Sequence, residues 1–501
     1  MSANISLRKT GLVVFSSRMI SVFTGLVFLL LMTHSLSIKE FGLWEVILDI
    51  ITFACYPAGL MVFWATREIA RGRLLGKTAI GMNLASSLFG IILYVVFSLV
   101  SASRLQSNFE TLLLAVLLVP IGYWNQAANA VVSGHNPIVA GYSVLASEAS
   151  KLTVAFPALL VLHAGIGGVV VSIMAANGAQ AATSTYLTRD ADQLQFDAAK
   201  ARSWLAMSWI PSLTTLPYVL GVADTYIASL AASGTTLVGY YQAAFAVATI
   251  AGYSFFLATA LYPLLLRGAS DELTAATLDL TLLFGLPMAV GAAILARPIL
   301  YLLKPAYTEV SMALTILAFS ALVYSVSLIL DQNLMGRDRV DVDERAGVKH
   351  YLGSSIFFVA TVDIATAVTY LISVYLVITL GLSAGWSTVS IIEAWASAQL
   401  VVFSCYAAVK INRARTLGRL VVGRSLVNYA IGSGIMAAFL VVVDRYFDFS
   451  LSTLAIAAEL TLASLAAVGI YLAYVLATEH SVRRLVSSVL RPITGRAKPS
   501  A

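Results

Sequence analysis

Charge is what this sequence has least of. Only 11% of its 501 residues are Asp, Glu, Lys or Arg, where a soluble domain carries about a quarter. With 59% hydrophobic residues and a mean hydropathy of +0.88, that scarcity excludes an ordinary water-solvated globular domain. Cysteine is nearly missing too. Cys55 and Cys405 both fall in apolar runs, so they build neither a disulfide framework nor a metal motif and read as small packing residues. The five histidines do not cluster, so no metal site is expected. The stretch GRLLGKT, Gly72 to Thr78, is one residue short of a phosphate loop and has no strand before it, which argues against an ATP site. No catalytic constellation or cofactor motif is present, so an enzyme is not the first reading.

What the chain has in abundance is long apolar runs. Gly11 to Met32 holds 22 residues, which at about 1.5 Å each span ~33 Å, the depth of a bilayer core. It is too long for a cleavable signal and reads as a retained helix. Fourteen candidate spans follow the hydropathy: 11–33, 43–64, 79–101, 111–132, 138–162, 166–187, 204–230, 238–262, 274–296, 309–330, 354–380, 386–409, 426–444 and 453–477. Helix is the state expected of each, because a strand with open edges leaves backbone groups unpaired in lipid. The fold class is therefore an all-α integral membrane protein with about 14 transmembrane helices.

With the N-terminus placed inside, the inner segments hold 24 Lys and Arg and the outer loops five, namely Lys39, Arg104, Arg297, Lys304 and Arg445. That bias predicts a multi-pass plasma-membrane protein with both termini cytoplasmic. The net charge of +6 is then explained by basic inner loops beside anionic lipid, without a nucleic-acid partner.

An internal repeat organises the spans. KEFGLWEVI, from Lys39, aligns with TLVGYYQAA, from Thr236, placing Gly42 opposite Gly239. SGHNP, from Ser133, aligns with MGRDR, from Met335, and GIGG, from Gly165, with GLSAG, from Gly381. The order predicts two pseudo-symmetric six-helix lobes, 1–187 and 204–409. They are joined by a cytoplasmic linker at 188–203 and followed by two extra spans in 410–477 and a basic tail, 478–501. Repeated bundles of this kind move substrates by rocking one half against the other. Pro211 and Pro217 predict a kink in the seventh span.

Charges inside spans are the candidate functional residues, because one at a helix centre costs about 2.5–3.5 kcal/mol on insertion scales. Glu148 and Lys151 stand three apart on one face of the fifth span, either as a structural pair or as a cavity pair that a phosphate or proton could split. Arg18 either snorkels to the inner interface or faces a cavity and binds phosphate. Arg18 and Lys151 are the only cations placed inside spans. Asp224, in LGVADTYI, and Asp363 lie within the seventh and eleventh spans as candidate ion-coupling or cavity groups. Asp49, Glu393 and Glu459 read as groups solvated near an interface, and Arg67 as an anchor closing the second span.

Several segments in order resemble the polysaccharide flippases of the multidrug/oligosaccharidyl-lipid/polysaccharide exporter superfamily. They are SLSIKEFGLWEVI after the first span, ADTYIASLAASGTTLVGYYQAA across the seventh and eighth, RPILYLLKPAYTEVSMALTIL into the tenth, and LMGRDR after it. Together they run over residues 8–410. The resemblance implies two lobes around a central cavity, alternating access, and a polyprenyl (pyro)phosphate-linked oligosaccharide moved from the inner to the outer leaflet. It implies coupling to H+ or Na+ rather than to ATP. Family members often have a strongly cationic cavity; here only Arg18 and Lys151 would supply it, which leaves room for a monophosphate carrier. Two other readings stay open: a multidrug or metabolite cation antiporter of the same superfamily, and an integral-membrane polymerase or glycosyltransferase. The latter would need a large outer loop or an acidic metal-binding loop near an interface, and the short outer loops argue against it.

Overall fold

A computed structural model describes residues 7–105, 109–189, 196–258, 261, 265, 271–336, 338, 352–417, 425–450, 452–480 and 482–484. Most of the inner loop 336–353, the tail beyond 484, and 190–195 of the linker lie outside the described residues. Every regular element described is helical. Helices α1 (Leu7–Ser35), α2 (Ile38–Ala70), α3 (Gly76–Leu105), α4 (Phe109–Leu113), α5 (Leu118–His135), α6 (Val139–Ala155) and α7 (Gly165–Leu187) come first. Four shorter ones follow: α8 (Ala198–Ala206), α9 (Trp209–Gly221), α10 (Asp224–Ala232) and α11 (Thr236–Gly252). The rest are α12 (Asp271–Ile294), α13 (Ala296–Leu303), α14 (Ser311–Gly336), α15 (Ser355–Ser383), α16 (Thr388–Thr416), α17 (Ser425–Asp444) and α18 (Thr453–Thr478).

Twelve helical stretches among the described residues are long and apolar enough to cross a membrane. Each coincides with one of the fourteen spans read from hydropathy, so the chain is a multi-pass, all-helical membrane protein. The seventh and eighth spans are missing from the twelve because their helices are broken. The sequence predicts the seventh as one helix kinked by proline. Instead it is three pieces, α8, α9 and α10, interrupted at 207–208 and 222–223. Pro211 and Pro217 both lie inside α9, whose end falls four residues past Pro217 at Gly221. In the eighth, α11 tightens into a 3₁₀ turn, Tyr253–Ala258.

Large apolar side chains face outward, the reverse of a soluble protein. Leu84, Leu88, Ile92, Val96 and Leu99 follow one face of α3 and are all exposed, a surface suited to lipid tails. The interior gathers Leu, Val, Ile and Ala together with aromatics, and several of the aromatic polar tips are bonded. Tyr123 donates to Ala54 O at 2.9 Å and Tyr94 to Leu112 O at 2.6 Å.

The chain packs as two compact units, Met1–Gln242 with Asp363–Thr388, and Ala243–Val362 with Val389–Ala501. In the first, α2, α3 and α5 enclose Met61, Ala65, Ile69, Met82 and Val131, which Trp204 of α8 also joins. The SIKE segment starts α2 with a reciprocal cap: Glu40 N–H donates to Ser37 Oγ at 3.2 Å, and Ser37 N–H to Glu40 Oε2 at 2.8 Å. In the second, α12, α17 and α18 pack around Leu283, Met436, Leu440 and Tyr471. There the Tyr471 hydroxyl donates to Leu283 O at 2.7 Å.

Candidate functional site

The break between α9 and α10 places Asp224 as the first residue of a helix, where unpaired backbone N–H groups and the positive end of the helix favour a carboxylate. This is the local reason an acid is tolerated within an apolar segment. Asp224 is buried, and Tyr370 of α15 donates its hydroxyl to Asp224 Oδ2 at 2.6 Å. Tyr241 of α11 is 3.1 Å from Tyr370, oxygen to oxygen. All three belong to the first unit.

One residue further on, Thr225 donates its hydroxyl to Asp49 Oδ2, and Tyr226 N–H donates to the same oxygen at 3.0 Å. Asp49, buried on α2, therefore caps the first turn of α10 from a neighbouring helix. Solvation at an interface, the reading its sequence position suggested, is replaced by these two donors. Glu45, one turn earlier on α2, is half-buried. The rings of Phe53 and Phe97 meet Tyr226 edge-on at centroid distances of 5.7 Å and shield the site. Among the described residues no lysine or arginine pairs with Asp49 or Asp224.

A second cluster lies between α1 and α6. Glu148 and Lys151 form the ion pair their spacing suggested, at 2.5 Å. Glu148 also accepts from Ser21 at 2.8 Å and Thr24 at 2.5 Å, and Lys151 stands 5.6 Å over the Phe28 ring. Arg18 is exposed on α1, and among the described residues no hydrogen bond or ion pair joins it to this cluster. Asp363 is half-buried on α15. The structure thus joins Glu148 to Lys151 but brings neither Arg18, Asp224 nor Asp363 to that pair.

One reading of the sequence needs correction. The spans read from hydropathy hold only Arg18 and Lys151 as cations, because the twelfth ends at 409, one residue before Lys410. Helix α16 runs on to Thr416, and Lys410 is buried in it, 2% exposed, with Asp331 of α14 at 2.7 Å and Ser327 Oγ at 2.9 Å. Hydropathy ended the span too early because the last turns of α16 carry Lys410, Arg413 and Arg415. A further set is uncharged, so a search for buried charges does not find it. Asn125 and Asn129 of α5 lie beside Asn177 and Gln180 of α7. The signal was present in NQAAN, two asparagines four apart within an apolar span.

No protein family matches the chain by its sequence. No curated protein matches it either. Solved structures do. The lipid II flippase MurJ, in an inward closed conformation, superposes with a TM-score of 0.65 at 12% identity, over 94% of this chain and 100% of that one. A variant of the MATE transporter VcmN of Vibrio cholerae superposes with a TM-score of 0.51 at 14% identity, over 82% of this chain and 97% of that one. At such identities the likeness is one of fold: the chain has the helical membrane architecture that these two transport proteins share.

Proposed function

We propose that the protein is a flippase that moves a polyprenyl (pyro)phosphate-linked oligosaccharide from the inner to the outer leaflet of the cell membrane by alternating access, for surface polysaccharide or glycoconjugate assembly. The observation that carries this reading is the extent of the fold likeness, which takes in the whole length of a lipid II flippase and 94% of this chain. Broken helices beside a buried carboxylate network, as at Asp224, are how membrane transporters expose polar groups at depth without unpaired backbone in lipid.

In this reading Arg18 and Lys151 receive the phosphate. Lys151 then exchanges Glu148 for the cargo, and Glu148 keeps Ser21 and Thr24 as partners. Asp224, Glu148 and Asp363 line the path, and Asp224 takes up H+ or Na+ as the protein changes state. An acid that is neutralised in one state and charged in the other shifts the conformational equilibrium with the gradient.

A cation antiporter of the same superfamily is the second reading, favoured by the acids Asp49 and Asp224, which have no lysine or arginine partner among the described residues. Proteoliposomes decide between them. The flippase reading expects a fluorescent polyprenyl diphosphate-linked sugar, loaded in one leaflet, to become quenchable from the other at a protein-dependent rate, with no uptake of ethidium. Ethidium exchange without glycolipid movement would establish the antiporter instead.

A further inference from the structure

Four side-chain amides stand together partway through two membrane-spanning helices of the first unit. Asn125 and Asn129 are a turn apart on α5, and Asn177 and Gln180 are three apart on α7, so each pair shares a helix face. Asn129 donates to Asn125 Oδ1 at 3.3 Å, Asn125 to Gln180 Oε1 at 3.3 Å, and Gln180 to Asn129 Oδ1 at 3.4 Å. These three bonds close a ring in which every donor points the same way round. Asn177 joins it by accepting from Asn125 at 3.5 Å.

The ring is loosely satisfied. Its bonds are longer than the ~2.9–3.0 Å usual for N–H···O. They use four of the eight amide N–H donors, and each amide oxygen keeps a second lone pair. All four residues are half-buried, so this spare capacity reaches the surface of the unit. Hydrocarbon would leave those donors unpaired at a cost of several kcal/mol each, so this face borders water or a polar ligand. The ring is not the sole polar tie between α5 and α7. The Trp124 indole already donates to Thr185 Oγ1 across the same pair of helices at 3.1 Å.

The chemistry of the patch narrows what it binds. Its donors and acceptors are neutral, mixed and closely spaced. A phosphate accepts only and is anionic, so it calls for lysine or arginine; an organic cation calls for a carboxylate. Neighbouring hydroxyls and acetamido groups each donate and accept, and they match an array of amides group for group. We propose that Asn125, Asn129, Asn177 and Gln180 form the recognition site for the uncharged, hydroxyl-rich sugar portion of the cargo. This rests on the flippase reading and separates sugar recognition from phosphate recognition at Arg18 and Lys151.

The test measures binding of two probes to the full-length purified protein. One is a short-chain polyprenyl diphosphate bearing an N-acetylated hexosamine; the other is the same lipid diphosphate without sugar. Wild type should prefer the sugar-bearing probe by about tenfold, equivalent to a net gain of about 1.4 kcal/mol. Asn129→Leu keeps the heavy-atom skeleton of the side chain and Gln180→Met keeps its length, and both remove the amides. Each should cut that preference to twofold or less, with affinity for the sugar-free probe and the thermal midpoint unchanged. A variant that keeps the full preference overturns the proposal. So does one that loses both probes together with its thermal midpoint, since the amides would then be interhelical ties. Wild type binding both probes equally would overturn this site and leave the flippase standing. Wild type binding neither would remove the flippase reading itself.

Discussion

Gly42 and Gly239 meet backbone to backbone, each at the start of its helix, and each presses on the partner's preceding turn. A methyl group at Gly42 would collide with the Thr235 carbonyl oxygen, and one at Gly239 with that of Ile38. The two contacts are reciprocal: Gly42 and Gly239 are 197 residues apart in sequence, and so are Ile38 and Thr235. The Thr235 hydroxyl adds a bond to Lys39 O at 2.7 Å. The motif glycines that align in the sequence repeat are thus packed against each other at the N-termini of α2 and α11.

Only a residue without Cβ fits there, so Gly42→Ala and Gly239→Ala must part the two helix ends. Overpacking of this kind costs about 1–3 kcal/mol. Each variant should still insert in the membrane and should lose most glycolipid movement. A cysteine pair at Ile38 and Thr235 should cross-link readily in wild type and poorly in either alanine variant. Unchanged cross-linking and transport would mean the ends separate at no functional cost.

Asp224→Asn keeps the size of the side chain and its ability to accept from Tyr370. Folding should survive, with the thermal midpoint within a few degrees of wild type, while transport loses its dependence on an imposed H+ or Na+ gradient. Asp224→Glu should retain part of the activity. Tyr370→Phe deletes the donor and should destabilise by about 1–3 kcal/mol, because a buried carboxylate oxygen loses its partner. An Asn variant that transports at the wild-type rate with the same gradient dependence would reduce Asp224 to a helix-starting residue.

The Lys410–Asp331 pair gives a prediction about stability alone. Lys410→Met removes the cation paired with a buried carboxylate and should cost about 3–5 kcal/mol, whereas the double variant Lys410→Met with Asp331→Leu should recover most of that loss. Thermal unfolding in detergent reads both. A double variant as unstable as the single one would show that the pair does more than neutralise itself, for instance by holding Ser327 in place.

Topology is testable with single cysteines at Ser103 and Ser383, both exposed near the ends of α3 and α15. The charge bias of the loops expects each to react with an impermeant thiol reagent added outside intact cells, once Cys405 is removed. A cysteine at Arg415 should react only after permeabilisation. The opposite pattern would invert the protein in the membrane.

The sequence by itself determined the number and position of most helices, because lipid demands about 20 consecutive apolar residues per crossing and the spans can be counted. It also made the Glu148–Lys151 pair legible, because residues three apart on one helix share a face. What it could not decide depends on atoms far apart in the chain. Whether Asp224 starts a helix or interrupts one follows from Tyr370, 146 residues away, and from Asp49, which supplies the cap for α10 at Thr225 and Tyr226. Lys410 reads as a loop cation until Asp331 and Ser327 are seen to enclose it. The four amides of α5 and α7 register weakly in hydropathy, and only the packing of those helices makes them one patch. Pairing a buried polar group depends on which helix lies beside it, and that choice belongs to the tertiary structure.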